Sequence, residues 1–236
     1  MLLPTFTKSY HHEVYPAIDP TRPELSVAGK VVLISGGGQG IGAALAKNFA
    51  KAGASNIIIT GRKQETLSSV KSTIESLPEN KSRVHTFVAD VTDEARTNEV
   101  FAKVLQSIGR INVFVSNAGY HHTPSPFADA SIDDLWRGFE VNVKGLIIGA
   151  QAFLRSATSD SVLINVSSGA AHIHYYAPAN GYVSSKAAGV RILESIGVEN
   201  PGVRVYSIQP GFIATDMATK AGQNDSGFRL DSGKLD

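Results

Sequence analysis

The sequence predicts an α/β protein with a doubly wound parallel sheet in a single domain, and three observations favour that fold. Short apolar runs alternate along the chain with longer amphipathic stretches, as expected of strands joined by crossover helices. Several runs are rich in valine and isoleucine and lack polar alternation, which is typical of strands covered on both faces. Glycine or proline ends most of the amphipathic stretches, as at helix termini.

Six strands and five helices follow from this pattern. The strands are predicted over residues 31–35, 57–60, 84–89, 111–116, 162–167 and 203–208, and the helices over residues 41–52, 65–77, 94–108, 131–155 and 181–199. Gly53 and Gly109 stand just past two of the helices, where glycine is preferred. Ser131 and Asp134 have the spacing of a capping box at the start of a third.

The length and composition fit one domain. The chain has 236 residues, 42% of them hydrophobic, which is enough for one sizeable core. Residues 1–29 contain four prolines and show no helical or strand period, so they are interpreted as an extended arm on the domain, or as a disordered one. Residues 30–215 form the predicted domain, and residues 216–236 are polar.

The composition also excludes several classes of protein. The formal charge is +1 and no basic run of five residues occurs, so no nucleic-acid partner is expected. The absence of cysteine excludes disulfides and thiolate chemistry. No stretch approaches the ~20 apolar residues of a membrane span, and no signal peptide is recognised, so a cytoplasmic protein without a membrane partner is expected. The histidine pairs lack the spacing of metal ligands, so no metal site is predicted.

A glycine-rich turn joins the first strand to the first helix. It reads S-G-G-G-Q-G-I-G, from Ser35 to Gly42. Glycines allow a tight turn and let the backbone approach a pyrophosphate, and the helix N-terminus offers N–H groups to the phosphates. A merely flexible turn is the plain alternative, and the strand before it and the helix after it disfavour that alternative. The turn therefore predicts a dinucleotide site.

The spacing of the turn, Gly36-x-x-x-Gly40-x-Gly42, resembles the glycine motif of the short-chain dehydrogenase/reductase family, with Ser35 where that family usually has threonine. Five more motifs similar to those of the family follow in order. They are Asp90 in A-D-V-T, Asn117-Ala118-Gly119, Ser167-Ser168, Tyr182-x-x-x-Lys186 and Pro210-Gly211-x-x-x-Thr215. Because the motifs cover roughly residues 30–216, the chain is identified as a member of the short, non-extended branch of this family.

The resemblance implies a Rossmann-like dinucleotide-binding catalytic domain over residues 30–215. It implies hydride transfer between a nicotinamide cofactor and a small-molecule carbonyl or secondary alcohol. The cofactor contacts that it implies are Ser35, Gly36, Gln39, Gly40, Ile41, Gly42, Arg62, Asp90, Val91, Asn117, Ala118, Gly119, Tyr182, Lys186, Pro210, Gly211, Ile213 and Thr215.

Tyr182 and Lys186 are suited to the proton transfer that accompanies this hydride transfer. A free tyrosine has a pKa near ~10, and a neighbouring ammonium group favours the phenolate. The two residues are four apart and share one face of a helix. Alone, a tyrosine and a lysine four residues apart are more often an exposed pair on a helix surface. Their position in order among the other motifs favours a catalytic role.

Two further catalytic residues are implied by the resemblance. Ser168 would hydrogen-bond the substrate oxygen, as an oxyanion-stabilising donor does. It lies one residue farther from Tyr182 than is usual in the family, so Ser167 stays an alternative. Asn142 matches the family's helix asparagine, which implies a water-mediated proton relay to Lys186.

The end of the second strand bears on the choice of nicotinamide. An acidic residue there would bind the ribose 2′-hydroxyl and repel a 2′-phosphate. Here Gly61 occupies that position and Arg62 and Lys63 follow, so a phosphate could meet a fork of donors. A solvated basic pair is the plain alternative, and Gln39 in the turn is neutral. NADP(H) is the predicted cofactor.

Aromatic residues are expected to rim the substrate end of the site, which predicts a bulky or aromatic substrate. These residues are Tyr120, His121, Trp136, Tyr175, Tyr176 and Phe212.

Relatives in the family usually continue through a substrate lid to a seventh strand. Residues 216–236 hold no strand-like run, so a polar remnant of that loop and a missing seventh strand are expected.

The helices near residues 134–155 and 181–199 resemble the family's dimer-forming pair, which implies a homodimer.

Two other functions compete with the dehydrogenase hypothesis. One is a catalytically impaired dinucleotide-binding protein, motivated by the short C-terminus and the shifted serine. The other is sugar-nucleotide epimerisation, which the short length and the glycine spacing disfavour.

Overall fold

The fold is a six-stranded parallel sheet with helices on both faces, as predicted. The computed structural model describes residues 11, 14–78, 80–172, 179–211 and 213–220. The strands are β1 (Val31–Ser35), β2 (Asn56–Gly61), β3 (Arg83–Val88), β4 (Val113–Ser116), β5 (Val162–Val166) and β6 (Arg204–Ile208). Their order across the sheet is β3-β2-β1-β4-β5-β6, and every neighbouring pair is parallel.

The helices follow the strands in the predicted alternation. They are α1 (Gly40–Lys51), α2 (Gln64–Glu75), α3 (Glu94–Ser107), α4 (Ile132–Phe139), α5 (Gly145–Leu154), α6 (Asn180–Glu199) and α7 (Asp216–Lys220). At the start of α4, the Ser131 hydroxyl accepts the N–H of Asp134 at 3.3 Å, as the capping spacing predicts. A π-helical turn, Glu140–Lys144, joins α4 to α5, so the predicted 131–155 helix contains a π-bulge, a feature often found at functional sites.

The sheet is buried on both faces by two apolar clusters. On one face, Leu33 and Phe114 pack with side chains of α3 and α5, and the rings of Phe114 and Phe101 meet edge to face at 5.3 Å. On the other face, Ile34 and Ile59 pack with side chains of α1 and α2. Because both faces are covered, the strands can be apolar throughout, which explains the valine- and isoleucine-rich runs in the sequence.

The strand order reverses at β1, and this reversal positions the site. From β1 the chain passes outward to β2 and β3, and then returns to β4 on the other side of β1. The connections after β1 and β4 therefore separate, which leaves a crevice at the carboxyl ends of these two strands.

Among the described residues before β1, Val27 and Ala28 are attached to the domain through the backbone. The N–H of Val27 donates to the carbonyl of Ala52 at 2.9 Å, and Ala28 forms an antiparallel bridge with Ala54. Two short 3₁₀ turns, Pro16–Ile18 and Pro23–Leu25, precede this attachment. The predicted arm spans residues 1–29, and its residues 1–10, 12 and 13 lie outside the described part of the chain.

The β6 edge of the sheet is partly open to solvent. Tyr206 is 50% exposed, and Ile208 and Arg204 on the same strand are exposed as well. No seventh strand occurs in the part of the chain that the structure describes, and residues 221–236 lie outside that part. Among the described residues, no helix is long and apolar enough to cross a membrane, and no three metal-binding side chains lie together.

Candidate active site

The glycine turn follows β1 directly and is closely packed. Gly36 has a φ of +68°, and a Cβ there would lie 2.9 Å from the Cα of Ala118. A Cβ at Gly42 would collide with the carbonyl oxygen of Gly36. Both positions therefore require glycine, the first for its backbone angle and both for the close approach.

The Asn117-Ala118-Gly119 segment holds this turn in place. The Ser35 hydroxyl accepts the N–H groups of Asn117 and Ala118 at 3.1 and 3.2 Å. The amide of Asn117 donates back to the carbonyls of Ser35 and Gly36 at 3.0 and 3.1 Å. These hydrogen bonds join the carboxyl ends of β1 and β4 across the crevice.

A cavity of about 420 Å³ lies at the carboxyl ends of β1, β4, β5 and β6. Fourteen of the residues that the sequence assigns to the site line it. They are Gly36, Gln39, Gly40, Ile41, Asn117, Ala118, Gly119, Ser168, Tyr182, Lys186, Pro210, Gly211, Ile213 and Thr215. Five motifs that are far apart in the chain thus contribute residues to one cavity.

Six residues assigned to the site do not line this cavity, and the structure gives the reason for four of them. Ser35 is buried and bonded to the Asn117 segment, and Gly42 faces the Gly36 carbonyl. Val91 packs against Gly145, where a Cβ would lie 2.7 Å from the Val91 Cγ2. The carboxylate of Asp90 accepts the N–H and the hydroxyl of Thr92 at 3.0 and 2.8 Å. The other two, Arg62 and Asn142, are described below.

Arg62 is exposed at the end of β2, beside the glycine turn. The N–H of Gly37 donates to the carbonyl of Thr60 at 3.0 Å, and a Cβ at Gly38 would lie 2.7 Å from the Thr66 hydroxyl. Burial raises the pKa of Asp90, but the hydrogen bonds from Thr92 and the charges of Arg62 and Arg137 hold it below its ordinary value. Arg62 therefore lies close to the strand ends that carry the site.

Lys186 is buried beneath Tyr182. Its Nζ donates to the carbonyl of Val166 at 2.8 Å and lies 5.8 Å from the centre of the Tyr182 ring. Burial lowers the pKa of Lys186 to about 8. The arrangement predicted from the four-residue spacing on one helix face is present on α6.

Asn142 lies in the π-helical turn and connects three parts of the site. Its Oδ1 accepts the N–H of Tyr120 at 2.8 Å, and its Nδ2 donates to the Tyr120 carbonyl at 2.8 Å and to the Ser185 hydroxyl at 2.9 Å. A Cβ on Gly119 would lie 3.4 Å from this Oδ1 and 3.6 Å from the Nζ of Lys186. Asn142 and Lys186 therefore flank the same glycine.

Ser185 is a part of this arrangement that the sequence analysis missed. Its hydroxyl donates to the carbonyl of Tyr182 at 2.8 Å and accepts from Asn142, so it links α6 to the π-helical turn. The available signal was its position, since a hydroxyl three residues after Tyr182 and next to Lys186 stands on the same helix face.

The two candidate serines after β5 have different surroundings. The Ser168 hydroxyl accepts the N–H of Ala170 at 3.2 Å and caps the 3₁₀ turn Gly169–Ala171. The Ser167 hydroxyl is buried and has no hydrogen-bond partner among the described residues. Both line the cavity, and a hydroxyl that accepts a hydrogen bond can still donate one, so both stay candidates.

The predicted aromatic rim is only partly present in the described residues. His121 lines the cavity, and its ring stacks on that of Tyr182 with centroids 4.4 Å apart. Trp136 does not line it, because α4 leaves this side chain 62% exposed. Tyr120 does not line it either, since its hydroxyl is bonded to Asp134 at 2.5 Å. Tyr175, Tyr176 and Phe212 lie outside the described residues.

The close packing of the glycine turn gives a first prediction. Gly42→Ala should weaken binding of the dinucleotide that the turn predicts at least tenfold, since the new methyl group must displace the Gly36 carbonyl, and overpacking of this kind also costs roughly 1–3 kcal/mol of stability. Fluorescence titration and thermal unfolding measure the two effects. Gly138→Ala on α4 is the matched control, because a Cβ there has no described atom within 4 Å. Equal behaviour of the two variants would contradict the packing argument.

The burial of Lys186 gives a second prediction. Because the pKa is about 8 in the folded chain and 10.5 ordinarily, the unfolded chain binds this proton more tightly, and stability rises as the pH increases from 8 to about 10. Below pH 8, burial of the ammonium group lowers the free energy of unfolding by roughly 3 kcal/mol. An apolar side chain at this position would avoid that loss but would also lack the hydrogen bond to Val166, which is worth about 1 kcal/mol. Lys186→Met should therefore raise Tm at pH 7 by roughly 4–8 °C.

Thermal unfolding of Lys186→Met and the parent chain at pH 7 and pH 10 measures this effect. The difference in Tm should shrink at the higher pH, and the exposed Lys144→Met should show no such difference. A lower Tm for Lys186→Met at pH 7 would show that the buried ammonium group stabilises the fold.

Comparisons with known proteins agree with this geometry. The family model described as short chain dehydrogenase matches residues 30–226. A short chain dehydrogenase/reductase of Claviceps purpurea (strain 20.1) is 35% identical over 218 residues, which cover 90% of this chain and 72% of the relative.

Two solved structures are similar at 27% identity. One is an alcohol dehydrogenase of the archaeon Thermococcus sibiricus complexed with 5-hydroxy-NADP, with a TM-score of 0.72 and coverage of 78% of this chain and 77% of that chain. The other is an NAD⁺-bound xylitol dehydrogenase, with a TM-score of 0.74 and coverage of 79% and 72%. On this agreement of fold, motifs and family match, the chain belongs to the short chain dehydrogenase family of oxidoreductases.

Proposed function

We propose that this chain transfers hydride between NADP(H) and a carbonyl or secondary alcohol, with Tyr182 as the acid and base. One observation carries the proposal. Tyr182, Lys186 and Ser168 line the same cavity as the glycine turn, although the turn, Ser168 and the Tyr182–Lys186 pair come from three separate parts of the chain. A side chain able to exchange a proton thus shares a cavity with backbone suited to phosphates.

The residues of the cavity fit a dinucleotide. Gln39 provides no side-chain cap for α1, so the first N–H groups of this helix remain available for phosphate oxygens. Gly36, Gly40 and Gly119 also line the cavity, and at these positions the lack of a side chain lets a dinucleotide approach the backbone. The bound nicotinamide would supply or accept the hydride.

The chain's own residues manage the proton. In carbonyl reduction, the Tyr182 hydroxyl gives its proton to the developing alkoxide, and the nearby Lys186 ammonium group favours the phenolate that remains. Because the pKa of Lys186 is about 8, its charged form predominates at pH 7. A hydroxyl from Ser168, or from Ser167, donates to the substrate oxygen.

Asn142 is proposed to hold the path along which Tyr182 and Lys186 recover a proton. Its side-chain amide is fully engaged with the Tyr120 backbone and Ser185, which fixes its Oδ1 beside Gly119, near Lys186. A water molecule between the Asn142 Oδ1 and the Lys186 Nζ would connect Lys186 to the Tyr120 segment.

Arg62 supports NADP(H) over NAD(H). It is exposed next to the glycine turn, and glycine stands at the position where an acidic residue would repel a 2′-phosphate. The two similar structures contain 5-hydroxy-NADP in one case and NAD⁺ in the other, so the preference depends on Arg62 rather than on those relatives.

Binding and turnover together test the proposal. We expect NADPH to bind more tightly than NADH in fluorescence titrations, and NADPH oxidation to accompany reduction of a ketone from a panel of cyclic, aryl and aliphatic compounds. NADPH binding without turnover across the panel would instead support a dinucleotide-binding protein without catalysis. The bulky or aromatic substrate, the homodimer and the cytoplasmic location stay predictions from the sequence.

A further inference from the structure

We propose that His121 is a positioning residue that orients Tyr182 by stacking its imidazole ring on the phenol ring. The ring centroids are 4.4 Å apart and the planes differ by 25°. The inference depends on the proposed function, in which Tyr182 exchanges the proton. Stacking of this kind favours one orientation of the phenol ring about its two side-chain bonds.

The His121 ring is fixed by a hydrogen bond within its own segment. Its Nδ1 lies 2.7 Å from the carbonyl oxygen of His122, which can only accept, so Nδ1 carries the proton. Burial lowers the pKa of His121, which keeps the ring neutral. Its Nε2 is buried and has no hydrogen-bond partner among the described residues, so stacking and the Nδ1 bond hold the ring.

The segment that carries His121 is anchored on both sides. Asn142 binds the N–H and the carbonyl of Tyr120, both at 2.8 Å. The carboxylate of Asp134 accepts the Tyr120 hydroxyl at 2.5 Å and the N–H of Thr123 at 2.8 Å. His121 lies between these anchors, so α4 and the π-helical turn determine where its ring stands.

His122 packs behind this ring. It is only 2% exposed, and its ring is stacked with that of His121 at 5.4 Å with an interplanar angle of 9°. A Cβ on Gly181 would lie 3.4 Å from two atoms of the His122 ring. His122 therefore lies beside the residue that precedes Tyr182, and the His121 ring is in contact with the rings of Tyr182 and His122.

The contribution of the ring can be separated from that of its hydrogen bond by substitution. His121→Phe keeps a flat ring and loses the Nδ1 donor, whereas His121→Asn keeps a donor and loses the ring. His121→Ala loses both. Because an aromatic pair is a modest interaction, we expect kcat to fall about three- to tenfold in His121→Ala and His121→Asn, and to stay within about twofold in His121→Phe. KM and the NADPH Kd should change less than about twofold in all three.

A second measurement needs no turnover. In protein labelled with 3-fluorotyrosine, the ¹⁹F resonance missing from Tyr182→Phe identifies Tyr182 among the seven tyrosines. Loss of the stacked ring should move this resonance in His121→Ala and His121→Asn, and less in His121→Phe. His85→Ala is the control, since His85 is a half-buried histidine on β3 that does not line the cavity. It should leave both kcat and the resonance unchanged.

The outcomes separate this inference from the proposed function. Turnover that survives Tyr182→Phe, or no turnover on any ketone, overturns the proposed function and the positioning role with it. If Tyr182→Phe abolishes turnover but His121→Ala keeps kcat, only the positioning role is wrong. A His121→Phe variant as slow as His121→Ala, or a raised KM at constant kcat, also overturns it. Thermal unfolding excludes loss of folding, and His121→Phe keeps the test valid if His121→Ala does not fold.

Discussion

Tyr182→Phe is expected to lower kcat by roughly 10²–10⁴-fold, the usual contribution of a positioned general acid and base. The substitution removes one hydroxyl and keeps the ring. The contact with His121 at 4.4 Å and the position above Lys186 should therefore persist, and the cavity should keep its shape. NADPH should bind within about twofold of its original affinity. Steady-state kinetics on a reduced ketone and fluorescence titration measure these quantities.

The control for this variant is Tyr206→Phe, which removes a hydroxyl from a half-exposed tyrosine on β6, outside the cavity. Its kcat should equal that of the parent chain. A Tyr182→Phe variant within about threefold of the parent chain would show that another group carries the proton.

Arg62→Ala is expected to raise the Kd for NADPH at least tenfold and to leave the Kd for NADH within about twofold. The guanidinium group can offer parallel donors to a phosphate, and such charge-assisted pairs are stronger than neutral hydrogen bonds. Because Arg62 is exposed, the effect should shrink as the salt concentration rises. Titrations with both cofactors at low and high salt give the four constants.

Arg191→Ala is the matched control, because Arg191 is also exposed but pairs with Glu194 on α6, away from the cavity. It should leave both cofactor affinities unchanged. An equal loss of NADPH and NADH affinity in Arg62→Ala would mean that Arg62 supports the turn rather than a 2′-phosphate.

Much of the fold could be predicted from the sequence. Strands covered on both faces need apolar side chains at every position, so β1 and β2 stand out as runs of valine and isoleucine. Boundaries were less certain, because local contacts adjust them. Residues 111 and 112 were assigned to the fourth strand, yet β4 begins at Val113, and the side chain of Asn112 accepts the N–H of Val31 at 2.8 Å.

The candidate site was predictable where a motif is local. The glycine turn needs small residues within eight positions, and Tyr182 and Lys186 need only one helix face. The aromatic rim was less predictable. The sequence placed Tyr120 and Trp136 near the strand ends, but not whether they face the cavity, and the rotation of α4 leaves Trp136 in solvent.

By itself, the sequence determined the order of strands and helices along the chain, the position of the glycine-rich turn and the candidate residues for proton transfer. These properties depend on burial periodicity and on backbone preferences that extend over a few residues. The tertiary structure decided which distant side chains meet. Ser35 binds Asn117 across 82 positions, Asn142 binds Ser185 across 43, and His121 stacks on Tyr182. Such contacts depend on how the helices pack over the sheet, which no local pattern specifies.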